Sequence, residues 1–255
     1  MSKIVKAEMI NEQEPDSSKE AWCYYKLIYT AERWEIFSDF DMENVQTYEE
    51  HMKRGESKKI LRYLSWIKTE SAYATGDKLG PCFRLGGDCC FNFNEKKYPV
   101  FKKILEEEKI GILDKCNNMH HEYFNLAIIP TTGSLNTFKG KVGFDNFGNL
   151  RLPKENEWIK SYDRFDTFVY FLNRFYLDND EFVLSYSGIN KGNLRYWLKS
   201  FHDIYEYCKI IYCIDDYSFV DKLINNGNKP IEKAKNLIYY MELAQAYWEI
   251  RGYNK

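Results

Sequence analysis

The apolar positions in the last third of the chain recur at helical spacing. Phe165, Phe168, Val169, Leu172, Phe175 and Tyr176 stand three and four residues apart and predict a helix with one wide apolar stripe. Leu194, Trp197, Leu198, Phe201, Tyr205, Cys208 and Ile211 predict a second stripe that keeps one phase along its whole length. A third helix is expected from Pro230, which suits a first turn, with Ile231, Ala234, Leu237, Ile238, Met241 and Trp248 facing inward. Earlier in the chain, Ile60, Leu61, Leu64 and Ile67 follow Ser57 as an N-cap and predict a helix over residues 57–71. Pro99 with Val100, Phe101, Ile104 and Leu105 predicts another that ends near Gly111.

Other stretches carry the pattern of extended chain. Residues 21–29 are dense in aromatic and apolar side chains and read as a strand, with a short helix as the alternative. Residues 123–130 form a nearly unbroken apolar run of strand length, and residues 89–93 form a shorter one after the glycine-rich connection of residues 73–88. Residues 141–144 and 149–152 flank Asp145-Asn146-Phe147-Gly148, the composition of a hairpin turn. The strands offer a surface that the helical stripes can cover. The expected fold is therefore α+β, a small mostly antiparallel sheet packed against a helical C-terminal half. The polar residues 1–18 read as a loose arm, and residues 19–255 as one domain.

Composition narrows the classes. The 255 residues are 44% hydrophobic and 29% charged, with 36 basic side chains against 38 acidic ones. A chain of this length buries roughly 70–75% of its unfolded surface and needs no disulfide or metal to hold it together. The net charge of −2 disfavours nonspecific attraction to nucleic acid. No apolar run approaches the ~20 residues of a membrane span, because Asp166, Asn173 and Arg174 interrupt even residues 165–175. The first residues lack the apolar core of a secretory leader, and the seven cysteines include no Cys-x-x-Cys pair. These features point to a cytoplasmic protein with small, buried thiols. The abundance of Lys, Asn, Ile, Tyr and Phe fits AT-rich coding, as in a low-GC bacterium or its phage.

The chemically unusual residues lie between Met119 and Asp166. His120 and His121 precede Asn125; the turn residues 130–134 lead to Asn136, Lys139 and Gly140; Asp163, Arg164 and Asp166 open the first long helix. Five basic residues against three acidic ones between positions 134 and 160 make a local electropositive bias in an acidic chain. Asn136, Lys139, Asp163, Arg164 and Asp166 are the candidate ligand-binding set. A turn, a helix N-terminus and two cations together suit a carboxylate or a phosphate-bearing ligand. The plainer reading makes Asp163 and Asp166 helix caps and Arg164 their ion partner. His202, between Phe201 and Asp203, reads as a partly buried ring rather than a catalyst. The aromatic load supplies core and also offers a protein-contact surface.

Residues 125–130, Leu135-Asn136-x-x-Lys139-Gly140 and Tyr162-Asp163-Arg164-Phe165-Asp166, with the helical C-terminus, resemble an uncharacterised bacterial family of unknown function. That family has an apolar strand ending in Pro, an Asn-x-x-Arg-Gly segment and an Asp-Arg-Phe-Asp helix start; Lys139 stands where it carries arginine. The resemblance covers the C-terminal half and implies a fold relationship without an activity. The same segment is also similar to some HNH endonuclease motifs. That similarity implies a metal-dependent phosphodiesterase or nuclease with a divalent ion. His121 would then be general base and, with Asn136, metal ligand; Asn125 would orient water, and Lys139 would lie near the scissile phosphate. Only three residues separate His121 from Asn125, fewer than the motif usually places there. Two functions therefore stand open: a binding or interaction protein, and a metal-dependent nuclease.

Overall fold

The computed structural model describes residues 27–30, 32–33, 67–68, 73–78, 123–130, 143–144, 150–151, 165–185, 191–229 and 233–252. Six helices make up the closely packed part: α1 (Phe165–Tyr176), α2 (Asp180–Ser185), α3 (Lys191–Lys199), α4 (Ile204–Ile211), α5 (Tyr217–Gly227) and α6 (Ala234–Ile250). Helix α1 is the centre. Its stripe is wider than the spacing predicts, because Phe171, Asp166, Thr167 and Asn173 are buried along with Phe165, Phe168, Val169, Leu172 and Phe175. A helix buried on nearly every side must be surrounded by others, and α2, α4 and α5 all pack on α1. Each fully buried Phe, Leu or Val in that contact contributes about 1.5–3 kcal/mol relative to exposure.

The helix ends follow from local chemistry. Asp178, at φ 61°, closes α1, and the Asn179 N–H reaches back 3.1 Å to the Arg174 carbonyl, the bond of a Schellman turn. Asp203 caps α4 through the Glu206 N–H at 2.8 Å, and Asp216 caps α5 through the Ser218 N–H at 2.8 Å. The Asp203 cap also explains a departure from the expected single stripe over residues 194–211. The chain breaks at residues 200–203 and restarts in a new phase, so Ile204, Tyr207, Cys208 and Ile211 turn inward while Tyr205 is only half-buried. The third expected helix starts at Ala234 rather than at Pro230, and Tyr240, Met241, Leu243, Ala244, Tyr247 and Trp248 are buried along it.

The expected α+β architecture is corrected. The packed, described core is mostly helical, and its main element contacts are of helix on helix, α1 with α2, α4 and α5. The extended residues are short antiparallel ladders: β1 (Ile67–Lys68) on β2 (Tyr73–Lys78), β2 on β3 (Leu126–Pro130), and β4 (Gly143–Phe144) on β5 (Leu150–Arg151). In and next to them, Phe124, Asn125 and Ala127 are buried, and Phe124 and Asn125 meet Trp248 of α6. The physical reason lies in α1, whose all-round burial needs neighbours on several sides, a demand that a helical cluster meets and a one-sided sheet does not. Ile67 and Lys68 are extended, contrary to the helix expected over residues 57–71, whose remainder lies outside the described residues, as do the helix of residues 99–111 and the arm of residues 1–18. Leu27 and Ile28 are helical, in line with the alternative to a strand in that stretch.

One close approach locks α5 onto α1. A Cβ added at Gly227 would stand 2.1 Å from the Asp166 carbonyl oxygen and 2.8 Å from the Thr167 nitrogen, so only glycine lets the two backbones meet. Gly227→Ala must push the helices apart and is expected to cost about 3 kcal/mol, read as a lower urea midpoint at unchanged m-value.

A second expectation comes from Tyr207, Tyr212 and Cys208, all fully buried. Burial pushes both phenols and the Cys208 thiol well above their ordinary values. Groups with a raised folded pKa stabilise fully below their unfolded values, about 8.5 for a thiol and 10 for a phenol, and this stabilisation is lost as pH rises further. The urea midpoint should therefore hold to about pH 8 and then fall, more shallowly in Tyr212→Phe. A midpoint independent of pH up to 11 would contradict this.

Candidate functional site

Two of the candidate site residues, Asn125 and Asp166, fall in the described part, and both are buried and hydrogen-bonded within the protein. Asn125 ends a short 3-10 turn (Tyr123–Asn125) ahead of β3, is 0% exposed, and its Oδ1 accepts the Trp248 indole N–H at 2.9 Å. Phe124 packs edge-on against the same indole, with ring centroids 6.1 Å apart. The water-orienting role that the endonuclease similarity implies for Asn125 would need this amide to face solvent; here it closes the contact between the turn and α6. Asp166 is likewise 0% exposed. Its Oδ1 accepts the Thr167 N–H and its Oδ2 the Asn226 Nδ2, both at 2.8 Å. The carboxylate thus sits at the positive end of α1 and ties it to the end of α5, in keeping with the helix-start reading.

His121, Asn136, Lys139, Asp163 and Arg164 lie outside the described residues. His202 is a correction: its ring is exposed, with Nδ1 3.3 Å from the Asp203 carboxylate, because residues 200–203 leave the helix before α4 begins. Among the described residues no three His, Cys, Asp or Glu side chains are grouped to hold a metal ion, and no helix is long and apolar enough to cross a membrane.

A hollow of a different origin lies at the C-terminal end of α4. The last carbonyls of a helix lack internal partners and must find donors elsewhere. Tyr212 continues the last turn, Cys213 adopts a left-handed φ of 59°, and the N–H groups of Tyr212 and Ile214 both donate to the Cys208 carbonyl, at 2.9 and 3.1 Å. Three remote side chains meet the carbonyls of Lys209, Ile211 and Tyr212. Arg33 Nη1 donates to the Lys209 carbonyl at 2.9 Å, the Tyr29 hydroxyl to the Ile211 carbonyl at 2.7 Å, and Arg251 Nη1 to the Tyr212 carbonyl at 3.3 Å. The guanidinium of Arg251 also lies 5.4 Å from the centre of the Tyr247 ring and 3.9 Å from Cys213 Sγ.

These contacts hold residues 27–30 and 32–33 beside the ends of α4 and α6 and leave a cleft of about 760 Å³ between them. Arg33, Lys209 and Arg251 give it three cations, Glu32 and Asp215 two anions, Thr30 and Cys213 smaller polar groups, and Leu27, Ile28, Ile210 and Ile250 apolar wall. Its volume is that of a small-molecule site. Each guanidinium is oriented by a carbonyl before any ligand arrives, so the cationic side of the cleft is formed in advance. Sequence reasoning did not find this place. Its residues are scattered over positions 27–33, 209–215 and 250–251, and the only local signals are Arg251-Gly252 at a helix end and basic residues among apolar ones.

Comparison of the chain with protein-family models, with curated proteins and with solved structures finds no match.

Asp166 is expected to act on stability. Asp166→Ala removes a buried carboxylate and leaves the Thr167 N–H and the Asn226 amide without it, a loss of about 3 kcal/mol in urea unfolding. A variant as stable as the parent would remove the structural role assigned here.

Proposed function

We propose that the chain is a cytosolic binding protein for a small organic anion, held in the cleft at the ends of α4 and α6. The observation that carries this reading is the convergence of Arg33, Lys209 and Arg251 on one ligand-sized hollow. A guanidinium carries five N–H donors in a planar fork, and the Arg33 bond to the Lys209 carbonyl engages one of them while fixing the plane of the others. A carboxylate or phosphate group is the partner that such a fork suits. The negative end of the α4 dipole at the same place opposes an anion, and the three cations offset it. Free Cys208 and Cys213 suit a reducing compartment, which supports the cytosolic part of the proposal.

The test uses Cys213, which lines the cleft, with fully buried Cys208 as the internal control. Alkylation by iodoacetamide, followed by peptide mapping, should mark Cys213 ahead of Cys208, and inorganic phosphate or acetate should slow the Cys213 reaction with a saturable dependence. Lys209→Met should weaken that protection by about tenfold, the loss of one charge-assisted contact. Protection absent at any anion concentration, or unchanged in Lys209→Met, would set the reading aside.

A further inference from the structure

Two large apolar side chains at the cleft face water. Leu27 is 65% exposed and Ile250 37% exposed, and both line the hollow that also holds Arg33, Lys209 and Arg251. A single exposed leucine needs no explanation. Here, however, residues from two distant parts of the chain place apolar surface on one concavity, and half-buried Ile28 and Ile210 extend it. A hydrated inorganic anion would leave that wall wet. From this and from the anion-binding reading, on which the inference rests, we propose that the ligand is a monomeric amphiphilic anion. Its carboxylate or phosphate head lies at the three cations and its aliphatic portion covers Leu27, Ile28, Ile210 and Ile250.

Charge complementarity fixes the sign of the head group. The three cations outnumber Glu32 and Asp215; those two carboxylates and Lys209 belong to exposed residues, where water screens them, and Arg33 is half-buried. Arg251, by contrast, is 8% exposed, so its charge acts through less water. The apolar wall sets the rest of the selectivity, because burying a methylene is worth a roughly fourfold gain in affinity when it is fully covered, and less on an open wall. The occupant is a free molecule rather than a bilayer. The apolar residues line a concavity whose two guanidinium groups are held by the carbonyls of Lys209 and Tyr212 at the end of α4, which suits a single head group entering it.

A homologous series separates this inference from the reading beneath it. Acetate, butyrate, hexanoate and octanoate, all kept below micelle concentration, are titrated by calorimetry, with protection of Cys213 from alkylation as the site-specific readout. Octylammonium and vesicles of phosphatidylglycerol serve as comparison arms. Affinity should rise about two- to threefold per methylene along the carboxylates, octylammonium should bind at least tenfold more weakly than octanoate, and Leu27→Ser should flatten the rise without abolishing acetate protection. If all four carboxylates protect equally, the amphiphile is wrong and the anion site stands. If octylammonium protects as well as octanoate, the head-group assignment fails. Protection by vesicles at lower lipid concentration than by octanoate would replace the free molecule with a membrane surface. Should no carboxylate protect Cys213, the anion-binding reading falls, and the inference falls with it.

Discussion

The C-terminal end of α4 is the constraint on which this structure turns. A helix end leaves carbonyl groups without internal partners; at this one the Ile211 and Tyr212 carbonyls take buried hydrogen bonds and the Lys209 carbonyl an exposed one. After Cys213 turns left-handed, Tyr29, Arg33 and Arg251 meet the carbonyls of Ile211, Lys209 and Tyr212. These donors come from 182, 176 and 39 residues away along the chain. One helix end thereby gathers an early segment and the last described turn of the protein. The cleft is a consequence of this gathering. Elements brought together by hydrogen bonds to a backbone edge need not pack side chain against side chain, and the space between them remains open.

The other organising demand is that of α1. Its burial on nearly every side requires a shell of helices, and α2, α4 and α5 supply it. Two polar devices set the register of that shell. Asp166 joins the start of α1 to the end of α5 through Asn226, and Gly227 allows the same two backbones to come closer than any side chain would permit. At the same start of α1, the Phe165 N–H donates to the Tyr240 hydroxyl at 3.3 Å, and Trp248 holds Asn125, so that α6 is pinned by hydrogen bonds at both α1 and the turn before β3. Hydrogen-bonded polar groups inside an apolar core contribute more to the uniqueness of the arrangement than to its net stability.

Much of the helical half was legible in the amino-acid order. The stripes of α1, α3, α4 and α6 show in the apolar spacing because period 3.6 is a local property. The break at residues 200–203 was not read, although Asp203 carries the cap chemistry, because Trp197, Phe201, Tyr205 and Cys208 keep one phase on paper and so mask the change to Tyr207. Helix α5 went unread as well, although Asp216 precedes Phe219, Val220 and Leu223 and Asn-Gly closes it. The fold class failed for a different reason. On pattern alone apolar strands and apolar helices suit each other, whereas the width of α1's buried face, which takes in Phe171, Thr167 and Asn173, calls for helices as neighbours.

Sequence alone determined where the apolar stripes run, that Asp166 belongs to a helix start and that Cys208 is an interior thiol, since each depends on neighbours within a turn or two. Only the tertiary structure decided that Asn125 and Asp166 are held inside by Trp248 and Asn226, and that Arg33, Lys209 and Arg251 share a cleft. The residues concerned are 39 to 176 positions apart in their hydrogen-bonded pairs, and no periodicity or motif carries information over such distances. What joins them is hydrogen bonding between particular oxygens and donors from distant parts of the chain, and those partners meet only after the chain has packed.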